Sequence, residues 1–238
     1  MASTVAELID KSRAAASTAT WWLGSRSHLE FLDAALGPLF GASDVTLEWA
    51  PPGTGSHWDP GTRVMRLEPP VGLAMPAEDA AELTVLGLLH ECFHERFTSE
   101  HGDYEAFRDG VGGFMAANID RLFQRIEDGR IAALGTAQAP SLQPHVDKLT
   151  DLTLEAAAAT YGASGEGPKP ASQRMQLQFA LETYALRPDA ALVLDPQVAA
   201  LLPGLVPRID KGRHGSTDDC WMAAALLVGD IMRSPLPT

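Results

Sequence analysis

The chain has 238 residues, 45% of them apolar and 21% charged, which suffices for one large globular domain with a sizeable core. Eighteen Lys and Arg against 31 Asp and Glu give a net charge of −13 and a pI near 4.8. So acidic a surface repels phosphate backbones and anionic membranes, and no basic run offsets it, so nucleic acid and membrane surfaces are not expected partners. Cys92 and Cys220 are too few for a disulfide framework. The first ten residues lack the apolar stretch of a signal peptide, and no apolar run approaches the roughly 20 residues of a membrane span, so the expected setting is the cytoplasm.

Residues 4–39 read as two helices, with Val5, Leu8 and Ile9 lining the first and Leu29, Phe31, Leu32, Ala35 and Leu36 the second. Gly24-Ser25 separates them, and Gly37-Pro38 ends the second. Val45–Trp49 and Thr62–Leu67 alternate like strands, with a Pro51-Pro52-Gly53 loop and an Asp59-Pro60-Gly61 turn between them. Two or three strands in a small antiparallel sheet are expected. Pro76, followed by Glu78 and Asp79, opens a helix running to about Thr98. Its apolar side is expected to be Leu83, Leu86, Phe93 and Phe97.

A second long helix is expected from about Phe114 to Leu134, stopped by Gly135. Residues 136–147 read as a loop, and 148–161, 171–186 and 217–233 as helices. The stretch 162–170 reads as a flexible linker, and 188–216 as mixed structure with short helical pieces around 196–202. The fold class is therefore α+β, mainly α. Residues 1–135 hold the sheet and the polar helices; 136–238 form a helical C-terminal lobe expected to pack with them as one domain.

The chemistry concentrates in His90-Glu91-Cys92-Phe93-His94. Two histidines four residues apart leave one face of a helix and can meet at one ion, and imidazole nitrogen suits Zn²⁺. Glu91 lies about 100° around the helix from His90, beside such an ion rather than on it. That is the place of a general base that takes a proton from a metal-bound water. Gly87, one turn earlier, suggests either relief of crowding at the metal or close packing against another backbone. Cys92 points away from the histidine face and reads as a small buried apolar residue.

A catalytic zinc needs a third protein ligand. Glu127, on the edge of the Phe123–Ile131 apolar stripe, is the leading candidate, set against an ion pair with Arg130 at i,i+3. Asp120 and Asp128 are candidates to orient a ligand histidine. His101 is a fallback third ligand. His145, Tyr161, Tyr184 and His214 are candidate oxyanion stabilisers, and His214, in a loop before a helix, is the one taken as catalytic beside Glu91.

Leu89-His90-Glu91-Cys92-Phe93-His94-Glu95-Arg96-Phe97-Thr98-Ser99, followed by Ile126-Glu127-Asp128-Gly129-Arg130-Ile131, resembles the zincin metallopeptidases of the gluzincin type. More narrowly it is similar to the metallopeptidase-like domains found beside von Willebrand factor A domains in bacterial and phage proteins. The match covers about residues 60–135, with a loose fit from Ser216 on. The resemblance implies a zincin-like domain that binds one Zn²⁺ per chain through His90, His94 and Glu127. Glu91 would be the base in cleavage of a peptide or protein amide. It also implies that the strand Thr62–Leu67 is an edge that holds an extended substrate. The chain departs from the pattern at Ala132, where the family has Glu, and at Ile131, where gluzincin spacing places Asp. No von Willebrand domain follows, so any such partner is expected to be a separate protein chain, or there is none.

Two other readings compete. A zincin scaffold could serve binding or assembly without catalysis. Glu91-x-x-His94 is also half of a ferritin-like di-iron site, but Glu127 is followed at i+3 by Arg130, and no second Glu-x-x-His exists.

Overall fold

A computed structural model describes residues 4–42, 44–71, 75–99, 113–161 and 172–237. The expected linker at 162–170 and His101 lie outside the described residues. The chain divides into two compact units, Met1–Phe97 with Gln138–Leu149, and Thr98–Ala137 with Thr150–Thr238. Among the described residues the fold is α+β and mainly α, and no helix is long and apolar enough to cross a membrane.

The first unit begins with α1 (Val5–Thr18), opened by a reciprocal capping box between Thr4 and Glu7. α2 (Arg26–Ala35) is capped by Ser25, and a π turn, Leu36–Phe40, closes it at Gly41 with φ 74°. Three short strands follow: β1 (Thr46–Trp49), β2 (His57–Asp59) and β3 (Val64–Leu67). Their order is β1-β3-β2, with β1 parallel and β2 antiparallel to β3.

The sheet is thus mixed rather than antiparallel. The Asp59 carboxylate accepts from the Gly61 and Thr62 amides and the Thr62 hydroxyl, and this tight turn makes β2 and β3 a hairpin. The longer Pro51–Ser56 loop lets β1 take the other side of β3. β3 is therefore the central strand and offers no free edge to a substrate; β1 and β2 are the edges.

α3 (Ala77–Phe97) carries the His-Glu motif and packs on α1, β2 and β3. It is not the one-sided amphipathic helix expected. Ala81, Val85, Leu86, Leu88, Leu89, Cys92 and Phe93 are all buried, so it is enclosed on most sides. Enclosure captures Glu82, which is held by Arg13 of α1 and by Lys148. Both cations, led by their hydrogen bonds, outweigh the upward pull of burial and hold the Glu82 pKa below the usual carboxylate value.

The second unit is helical. α4 (Gly113–Gln138) runs through Gly135 rather than stopping there; an interior Gly costs roughly 1 kcal/mol, which a long packed helix tolerates. The expected 136–147 loop shrinks to a 3₁₀ turn, Pro140–Leu142, which belongs to the first unit, before α5 (Gln143–Tyr161), whose residues from Thr150 on belong to the second. α6 (Gln173–Leu186) leads to α7 (Pro196–Arg213), one continuous helix where short pieces were expected. Its interior Pro203 and Pro207 are both exposed, so water can serve the carbonyls they leave unpaired. α8 (Thr217–Arg233) begins at a Ser216/Asp219 capping box. Ile119, Leu122 and Ile126 of α4, Leu177 and Leu181 of α6, Ile209 of α7, and Ala224 and Leu227 of α8 share one core.

Candidate metal centre

The candidate centre lies on α3. His90 and His94 are half-buried, and their Nε2 atoms face each other at 3.1 Å with the rings at 84°. Two imidazole nitrogens this close need either one proton or one cation between them. Two nitrogens bound to one tetrahedral Zn²⁺ at 2.0–2.1 Å would lie roughly 3.3 Å apart, so the pair fits the ion with little movement. Glu91 is buried at 4% exposure. The Cys92 thiol is buried too, and burial, with the charges of Glu95 and Glu91, pushes its pKa up, so it is no ready thiolate ligand.

Among the described residues a Cβ at Gly87 would meet only Ser56 Oγ, at an ordinary 3.8 Å, so close packing against another backbone does not account for this glycine. One residue past the motif, Glu95 pairs with Arg63 at 3.0 Å, which ties the β2–β3 turn to α3. Arg63 also pairs with Asp44 at 2.9 Å and sits at φ 53°, a left-handed conformation unusual for a long side chain.

In the second unit, Glu127 and Arg130 form a buried, two-pronged ion pair. Arg130 Nη2 donates to Glu127 Oε1 at 2.6 Å and Nε to Oε2 at 2.7 Å. Thr98 Oγ1 and Thr217 Oγ1 also donate to Oε1, at 2.8 Å and 3.1 Å. These are four donor contacts, about as many as an ionised carboxylate has acceptor sites. Burial would raise the Glu127 pKa, but the Arg130 pair and the Thr98 hydroxyl overcome it and hold the pKa below the usual range. The i,i+3 pair with Arg130 therefore forms, but inside the protein at 1% and 5% exposure rather than on a solvated face.

Asp128, the next residue, is half-buried and accepts from Arg125 Nη1 at 3.3 Å. Gly129 then allows the close approach of α6. A Cβ at 129 would lie 2.1 Å from the Ala185 carbonyl oxygen, so this glycine is sterically required. Asp120, half-buried, leaves its Oδ1 without a hydrogen-bond partner among the described residues, and burial raises its pKa.

The oxyanion candidates are placed as follows. Tyr184 OH donates to the Asp210 carboxylate at 3.2 Å. His214 is the exposed C-cap of α7, with Nδ1 2.7 Å from the Asp210 carbonyl oxygen of its own helix. His145 is half-buried on α5, and the side chain of Tyr161 lies outside the described set.

Sequence reasoning missed Thr217, whose buried hydroxyl contacts Glu127, Arg130 and the Ser99 amide. The Ser216-x-x-Asp219 capping box marks Thr217 as the first residue of a helix, but nothing in the sequence links it to a residue 90 positions earlier.

No protein-family model matches the chain, and neither a curated protein nor a solved structure matches it.

Proposed function

We propose that the protein is a zinc-dependent hydrolase of peptide amide bonds, with one Zn²⁺ held on α3 by His90 and His94. The observation that carries the reading is the 3.1 Å approach of the two histidine Nε2 atoms on one helix face. Neutral imidazole nitrogen is a donor that zinc takes in catalytic sites.

When bound, zinc supplies Lewis acidity toward a carbonyl oxygen and lowers the pKa of water to about 7. The chain's own residues do the rest. His90 and His94 bind as neutral imidazoles, so both must be unprotonated. Glu91, next to a ligand and enclosed at 4% exposure, accepts a proton from the attacking water and returns it to the leaving nitrogen. The resemblance to gluzincins supports peptide as the substrate class, the acidic surface supports a soluble working environment, and a cytoplasmic setting goes with both.

The test is Glu91→Gln, assayed by the release of new amino groups from a mixture of unstructured polypeptides. The variant keeps zinc and loses turnover by at least about 10²-fold, the usual worth of a general base. Full activity in the variant overturns the assignment of Glu91. Unchanged biological function after zinc loss would favour a binding or assembly role instead.

A further inference from the structure

α8 buries one side in the core of the second unit, where Ala224 and Leu227 lie. From Cys220 to Gly229 it carries no charged residue on any side, the composition of a helix enclosed all round. Yet Met222 and Leu226, on its outer side, are 48% and 47% exposed. They belong to a stripe of Asp218, Met222, Leu226, Gly229 and Arg233. Spacings of four, four, three and four residues keep that stripe on one face along the whole helix. Asp218 and Arg233 close its two ends with opposite charge, about 22 Å apart along the axis. We infer that this face of α8 docks a second copy of the chain, the two α8 helices running antiparallel about a two-fold axis. No residue of the candidate metal centre takes part.

What selects a second copy over another partner is that the stripe complements itself. A two-fold interface brings residue i of one copy to residue j of the other, and j to i. With the axis between Ala225 and Leu226, Asp218 of each copy falls opposite Arg233 of the other. The same register sets Met222 opposite Gly229 and Leu226 opposite Ala225. Each large side chain thus meets a small one, as interdigitated helix packing requires. One choice of axis satisfies charge and shape together. In the single chain the Arg233 guanidinium lies over Gly229, 3.3 Å from where a Cβ would stand, and its Nη2 donates to Asp230 at 2.8 Å. The Arg233 side chain is 73% exposed, so it is free to swing to the end of the stripe and leave the notch to Met222 of the other copy. The net charge of −13 opposes association at long range, but at physiological salt the Debye length is about 8 Å, and the charges of the stripe itself cancel. One helix face is a small interface, so the dimer is weak and reversible.

Sedimentation velocity of the full chain, from roughly 1 μM to roughly 1 mM in about 0.15 M salt, reads the association. Wild type is expected to pass from monomer to dimer in that range. Leu226→Glu sets two carboxylates together beside the axis and is expected to weaken the dimer at least about tenfold. Its unfolding temperature is expected to stay near that of wild type, because the position is half exposed. Asp218→Lys and Arg233→Glu each bring like charges together at both ends, and each is expected to weaken the dimer. An equimolar mixture of the two restores it, because the introduced charges then face each other and the native pair forms at the other end. Asp218 and Arg233 lie too far apart along one helix to meet within a chain, so rescue by mixing reads contact between copies. Should Leu226→Glu fold poorly, the mixing experiment decides alone, since both of its positions are exposed. Wild type that stays monomeric throughout overturns the proposal, as does a dimer that persists unweakened in Leu226→Glu. A mixture that associates no better than the separate variants overturns the antiparallel pairing.

Discussion

In the first unit the imidazole of His28 is completely buried, 4.2 Å from the Trp22 ring and 5.3 Å from Trp49. In the second unit the buried polar group is a full ion pair, Glu127 with Arg130. The first arrangement works only while the imidazole is neutral. The Gly24 amide donates to His28 Nδ1, so the ring proton sits on Nε2, which finds no partner among the described residues, and burial lowers the pKa to about 4. The second works only while both groups are charged. The same need, a polar side chain inside a core, is met by removing charge in one unit and by completing it in the other. The difference teaches which groups are committed to structure. Glu127 receives four donor contacts from its neighbours, and in the first unit His90 and His94 hold their Nε2 atoms 3.1 Å apart.

The strongest way to break this comparison is to halve the ion pair. Arg130→Leu leaves the Glu127 charge buried with hydroxyl donors alone and is expected to cost about 3–5 kcal/mol in urea unfolding. Retained stability would show that the pair is not what holds the second unit.

Acid separates the units next. His28 has a folded pKa below its unfolded value of 6.5, so the unfolded state takes up the proton first as pH falls. Stability linked to His28 is complete above pH 6.5 and is lost progressively down to about pH 4, by up to about 3 kcal/mol. Glu127, with its pKa lowered, keeps its contribution until pH falls below the ordinary carboxylate value of 4.5. Trp21, Trp22, Trp49 and Trp58 lie in the first unit and only Trp221 in the second, so tryptophan fluorescence reports chiefly on the first. Its acid transition is expected to flatten in His28→Phe; an unchanged profile would remove His28 as the cause.

Two glycines sharpen the contrast at smaller scale. Gly129→Ala drives a methyl into the Ala185 carbonyl and is expected to destabilise by at least about 1–3 kcal/mol. Gly87→Ala meets ordinary contact only and is expected to stabilise by up to about 1 kcal/mol through helix propensity. Thermal unfolding of the two variants measures both, and shifts of the same sign would contradict the packing described.

Much of this was legible in the sequence because it is local. Periodicity and end signals place α3 at Ala77–Phe97 and α8 at Thr217–Arg233, and the i,i+4 spacing brings His90 and His94 together. What was not legible depends on distant partners. The continuity of α7 was not legible, because an interior Pro ordinarily breaks a helix and only the exposure of Pro203 and Pro207 explains why this one survives them. The parallel pairing of β1 with β3 follows from which side of the hairpin β1 reaches, a choice that alternation does not encode. Glu127 looked like a ligand because a carboxylate beside an apolar stripe needs a cation. It has one, but the cation is Arg130.

Zinc held by the two histidines is tested most directly by counting the metal in the purified chain and in His90→Ala, His94→Ala and Glu127→Gln. One zinc per wild-type chain is expected, and its loss in both histidine variants. Glu127→Gln retains the metal wherever it folds. Zinc held equally by wild type and both histidine variants, or no zinc in wild type, would contradict it.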